Sequence, residues 1–429
     1  MHKRNVVYIL YSLAVIGMVC WFPLRARCEE PSAPQKKMIT WGRTFGGRHI
    51  DVAHAIKQTS DGGYILAGET FSFGSGKSDA YVLKLDAKGN KVWEQYYGGD
   101  DTDGAESVCQ TSDGGYIVAG GTQSAGAGKC DVYALKLDAK GDRVWEKTLG
   151  GTEWDIAHSV DQASDGGYIV AGESQSFGSG KGDAYVLKLD PNGKTVWDKT
   201  FNGNGAARAH DVKQTSDGGY ILAGTTYSFG SGSGEAYLVK LDGSGNKVWE
   251  KMFGGKGRGS ARSVQQTSDG GYIIGGQVSS SELGQGDALV IRLDGQGKIT
   301  WEKTFGIKDL DAASFVSEKD AKGANAFSVI QASEGGFVLA ISTYTKLSIA
   351  DAYLLKVDGD GNKVWATTFG VRDLDDEYAS RFTRAACVYP HALLQTSDGG
   401  YMVAGGIVDR REGISDIYVI KTDKEGTVK

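Results

Sequence analysis

The chain has 429 residues, among them 64 Gly, 20 Tyr and 9 Trp but only 5 Pro, and its formal charge is −6. Glycine interleaved with Val, Ile, Tyr and Trp suits many short strands joined by tight turns and argues against a low-complexity chain. The chain lacks a basic tract, which makes nucleic acid and anionic membrane surfaces poor partners for it.

In chain order, His2, Lys3 and Arg4 precede Val6–Leu24, nineteen residues without a charge, and the polar "RARCEEPSAPQKK" follows. This is the layout of an export signal, with Ala26 and Cys28 as small residues at a cleavage site. Nineteen apolar residues also reach the length of a bilayer span, so residues 6–24 stand as a membrane tether in the alternative reading. The expected layout is a signal or anchor over 1–28, a linker over 29–37 and one folded domain over 38–429, with that domain exported. The domain holds Cys109, Cys130 and Cys387, an odd and sparse set that is no disulfide framework. A Cys109–Cys130 bridge within one repeat and unpaired thiols both remain open.

The folded part is periodic. Trp41, Trp93, Trp145, Trp197, Trp249 and Trp301 stand 52 residues apart, and Trp365 follows after 64. Between them run seven versions of one phrase, from "QTSDGGYILAG" (58–68) to "QTSDGGYMVAG" (395–405). Within the third unit, "AHSVDQA" (157–163), "GYIVAGE" (167–173), "DAYVLKLD" (183–190) and "KTVWDKTF" (194–201) alternate with period two and predict four strands. "SDGG" and "LDPNGK" predict the tight turns between them, since Asp caps a turn and Gly accepts positive φ. Four antiparallel strands repeated every 52 residues or so predict an all-β fold, a seven-bladed β-propeller of four-stranded antiparallel blades. The C-terminal "KTDKEGTVK" aligns with "KLDAKGNKVW" and stops one residue before the Trp position, whereas "MITWGRTFGG" (38–47) has no unit before it. The N-terminal strand is therefore expected to complete the last blade and close the ring.

The "DGGYIVAG…DAYVLKLD…G.KVWEKTFGG" pattern resembles a large family of exported bacterial and archaeal β-propellers over residues 38–429. The "LKLDAKGNKVWE" part is also similar to the blades of pyrroloquinoline-quinone-type propellers, which include dehydrogenases and assembly scaffolds. The chain has no adjacent Cys pair and no recognisable quinone pocket, so the resemblance implies shape and not quinone chemistry, and no cofactor is expected.

Two motifs mimic known sites. "FSFGSGKS" (71–78) ends like a phosphate-binding loop but has Phe71 where the first Gly belongs and lies between strands, so it reads as a hairpin loop. "VDGDGNKV" (357–364) lacks the Gly and distal Glu of a calcium loop and reads as a turn. More informative, His54, His158, His210 and His391 each precede the recurring Gln by four residues, and Glu106, Arg262 and Phe327 fill that place in the other units. At the start of the innermost strands these residues would ring one mouth of the central channel. They would either fill gaps between blades or form a metal or anion site.

The repeat breaks in its last two units, each of which gains thirteen residues before the "GG" turn. These inserts begin alike, "FGIKDLD" (305–311) and "FGVRDLD" (369–375), and carry Asp309, Asp311, Asp373, Asp375 and Arg381. They are expected side by side over the channel mouth, where propellers place binding loops. Trp154, in the corresponding loop before the third blade, could stack on a sugar ring. The sequence thus points to a non-catalytic binding or scaffolding module for a protein or glycan at the cell envelope. The alternative is a polysaccharide lyase or hydrolase, or a metal-dependent lactonase type, using the His ring and the insert carboxylates.

Overall fold

The computed structural model describes residues 41–201, 205–228, 234–253, 258–279, 286–310, 321–345, 351–370, 374, 382, 386–409 and 413–426. The fold is all-β; the helical element among the described residues is a 3-10 turn at Ile307–Leu310. Strands Asp51–Gln58, Tyr64–Thr70, Asp79–Leu85 and Lys91–Tyr97 pair in sequence order as an antiparallel sheet. The units at 103–149, 155–201 and 207–253 repeat that order. The units at 258–305 and 321–369 do so too, but a single parallel pair, Gly286 with Gly323, joins them into one eight-stranded sheet.

The remaining sheet draws on both ends of the chain. Trp41–Phe45 pairs antiparallel with Ile414–Thr422, placing Trp41 opposite Lys421 as Trp93 is placed opposite Lys84. The strand ahead of the first unit thus completes the sheet of Cys387–Gln395 and Tyr401–Asp409, as the repeat predicts.

The second and third strands of a unit, such as Tyr64–Thr70 and Asp79–Leu85, are buried on nearly every residue because a neighbouring sheet covers each face. The outermost strands carry the exposed residues. Hydrophobic clusters lie between sheets and not within them: Ile56, Leu66 and Tyr81 of the first unit pack against Met402, Ile417 and Val419 of the last. Inner strands of successive units touch one another around the ring, including the first and last.

Two hydrogen-bonding devices recur around the ring, the first within units and the second between them. In the "SDGG" turn, the Asp61 carboxylate accepts from Thr59 Oγ1 (2.5 Å), Gly63 N (2.9 Å) and the buried Lys84 ammonium (3.1 Å). Burial would raise that carboxyl, but these donors hold it down at about 2. The recurring Gln binds the turn of the preceding unit: Gln110 Oε1 accepts from Ser60 N (2.7 Å), and the series closes where Gln58 Oε1 accepts from Ser397 N (2.9 Å). A third device is steric. Each periodic Trp lies on a turn glycine of the next unit. At Gly89, a Cβ would fall 2.8 Å from the Trp41 ring and φ is +80°, so both space and backbone require glycine.

The closing strand therefore depends on one half-buried ring. Trp41→Ala is expected to lower the unfolding free energy by about 2–3 kcal/mol, slightly under the value for a fully buried Trp. Urea denaturation monitored by circular dichroism checks this, and a midpoint equal to that of the parent chain would contradict it.

Candidate functional site

The seven residues that precede the recurring Gln by four are the bulge residues of the inner strands. Register slips between Ala53 and Ala55, between Ala105 and Ser107 and between Ala157 and Ser159, leaving His54, Glu106 and His158 without a partner. The same slip isolates His210, Arg262, Phe327 and His391. A bulge turns one extra side chain away from the ladder, and here each is turned towards the axis. These residues stand in the middle of strands such as Asp51–Gln58 and Asp155–Gln162. That differs from the expected position at the strand start, because each strand begins a turn earlier than its apolar pattern announces.

Neighbouring bulge residues contact one another around the axis. His54 and His391 stack with centroids 5.2 Å apart and planes 6° from parallel, and His158 lies 5.9 Å from His210. The Arg262 guanidinium sits 5.7 Å from the centre of the Phe327 ring, which in turn lies 5.5 Å from His391. His54 Nδ1 is 4.0 Å from the Glu106 carboxylate.

This ring is arranged to be uncharged at its imidazoles. Burial pushes His54 and His158 below the ordinary value, His210 well below it and His391 to about 4. Glu69 and Glu106 oppose the shift at His54 and His158, while Arg262 deepens it at His210. His391 Nδ1 lies 3.0 Å from the Ala53 carbonyl, so its N–H donates there and Nε2 keeps a lone pair. His210 Nε2 lies 3.2 Å from Thr225 Oγ1. Among the described residues, no three His, Cys, Asp or Glu side chains gather as a metal site.

Next to the ring, the residues after the bulge tie the inner strands together. Ser159 Oγ accepts from Val212 N (3.2 Å), and Asp211 Oδ2 accepts from Val264 N (3.0 Å). Lys213 Nζ pairs with Asp211 at 2.5 Å, and Cys109 Sγ lies 3.6 Å from Asp161 Oδ1. Burial, helped by Asp161, pushes the Cys109 thiol up, which keeps it protonated and unreactive. Cys109, Cys130 and Cys387 are all free thiols, so the bridge left open by the sequence is not formed.

The remaining candidates stand apart from the ring. Trp154 is exposed and bridges Cys130 in the loop between two units. Asp309 belongs to the 3-10 turn, where its carboxylate accepts from Gly306 N at 2.8 Å. Burial, together with the Asp309 charge, raises the nearby Asp287 carboxyl. Asp311, Asp373, Asp375 and Arg381 lie outside the described residues, as does the apolar segment 6–24. Among the described residues no helix is long and apolar enough to cross a membrane. Sequence reasoning missed a role for the matched starts of the inserts: Leu310 and Leu374, five residues after Phe305 and Phe369, are buried in the inter-sheet cores. Their shared "DLD" was the available signal, and it reports anchoring.

The fold and the axial ring define a β-propeller. Residues 163–195 match the family described as a domain of unknown function (DUF5122) beta-propeller. The chain is 25% identical over 253 residues to the Regulatory protein FlaEY of Caulobacter vibrioides, covering 50% of this chain and 26% of that protein. Among solved structures, the WD40 domain of Neurospora crassa Pan2 superposes with a TM-score of 0.50 at 10% identity, over 91% of this chain and 97% of that one. Sqt1 from Chaetomium thermophilum gives 0.45 at 14% identity, over 88% and 85%.

Acid should weaken the fold through the ring. Folded imidazoles with lowered pKa bind fewer protons than unfolded ones below pH 6.5, so their contribution is intact above 6.5 and lost as pH falls through about 4. His391→Phe, a residue that the ring already accepts at Phe327, is expected to flatten the fall in Tm between pH 6.5 and 4. Parallel Tm curves for parent and variant would contradict this.

Proposed function

We propose that the chain is an exported seven-bladed propeller that binds a protein or glycan on the loop face bearing the two inserts, without catalysing a reaction. One observation carries this reading: the groups best suited to catalysis are engaged with one another. Burial holds the imidazoles below their ordinary pKa, His54 stacks on His391, and His391 is hydrogen-bonded to the Ala53 carbonyl. A fold shared with WD40 domains supports a module for binding, while function itself rests on the site. The likeness over part of its length to a protein described as regulatory fits a non-catalytic role. The leader-like residues 1–28 support a place outside the cytoplasm.

Shortening the two inserts, at 311–320 and 375–381, is expected to abolish capture of an envelope protein or an array glycan, while a His158→Ala, His210→Ala double variant keeps it. Stoichiometric metal in the purified protein, lost in that double variant, would instead favour an enzyme.

A further inference from the structure

The symmetry breaks in charge between the units at 207–253 and 258–305. A cavity of about 450 Å³ opens there, and three arginines line it: Arg208, Arg258 and Arg262. No carboxylate is among its described lining residues, although the chain as a whole carries a charge of −6. Sister units show how this arises. Where Arg208 stands, the first three units have Val52, Gly104 and Ile156, and where Arg262 stands, most have His. Glu69 and Glu173 are replaced by Thr225 and Gln277 in these two units, and the buried Asp51, Asp103 and Asp155 by Ala207 and Gly259. Acids have been removed and bases added at one junction.

The arginines are only partly answered. Arg208 Nε pairs with Glu173 of the preceding unit at 2.5 Å. Arg262 Nε is buried and has no hydrogen-bond partner, an arrangement that costs free energy unless something accepts from it. The wall adds two hydroxyls, Thr225 Oγ1 donating to Ser260 Oγ at 2.8 Å. Tyr227, partly exposed, supplies an aromatic face in the same cavity. Guanidinium groups match the geometry of phosphate and sulfate oxygens and bind them bidentately. The volume is that of a small-molecule site and exceeds what a bare ion fills.

From this geometry we infer that the cavity binds a phosphate or sulfate monoester, its oxyanion held by Arg208, Arg258 and Arg262 and its organic part against Tyr227. This goes beyond the proposed loop-face binding and does not depend on it.

Isothermal titration of the full chain with glucose 6-phosphate, glucose 6-sulfate, inorganic phosphate, inorganic sulfate and glucose tests the assignment at constant ionic strength. Saturable one-to-one binding is expected for at least one ester, tighter than for its inorganic ion, with none for glucose; which ester binds better decides between phosphate and sulfate. Arg258→Gln, at an exposed residue, should weaken binding about tenfold, the loss of one hydrogen bond to a charged group. Arg208→Val and Arg262→His install residues that sister units already fold with, and together they should abolish it. Absence of saturable binding to either ester at millimolar concentration, or binding unchanged in both variants, would overturn the proposal. Equal affinity for ester and inorganic ion would overturn the part assigned to Tyr227.

Discussion

Everything in this structure depends on the pairing of Trp41–Phe45 with Ile414–Thr422. Each sheet buries both faces only because it has a neighbour on each side, so the first and last units need one another as much as any interior pair. A strand from one end of the chain, seated on a strand from the other, holds the two chain ends in one sheet and turns a row of sheets into a closed ring. The Gln–Ser hydrogen bonds and the Trp–Gly contacts then run around that ring and meet across the seam, at Gln58 with Ser397 and at Trp41 on Gly89.

Closure also creates the axial site. The inner strands crowd one axis, and a bulge in each turns one side chain inward. With such close neighbours, charge is costly, and burial keeps the imidazoles neutral. Repetition thus yields a ring whose imidazoles pack on one another. Where Arg262 replaces the recurring His, a buried nitrogen is left without a hydrogen-bond partner beside the arginine cavity.

Much of the fold was legible because a propeller writes its architecture locally. Trp spacing, the "SDGG" turn and period-two alternation each report a contact that recurs, and the register of Trp41 followed from aligning "MITWGRTFGG" with "NKVWEQYYGG". The membership of the axial ring was legible too, but not its position in the strand. A bulge adds a residue without altering composition; its trace is the parity slip at Ala55 and Ile56, two successive buried residues in an otherwise alternating strand. The arginine cavity was not legible, since Arg208 and Arg262 come from different units and meet only when those units pack. Leu310 and Leu374 looked like parts of acidic loops, yet they are core residues.

Hydrogen–deuterium exchange of the amides at 41–45 tests ring closure most directly. If the strand closes the ring, these amides exchange as slowly as those of an interior outer strand such as Thr195–Phe201. Exchange at the rate of an unstructured peptide, with the rest of the domain still protected, would show a ring held without this strand and contradict the account.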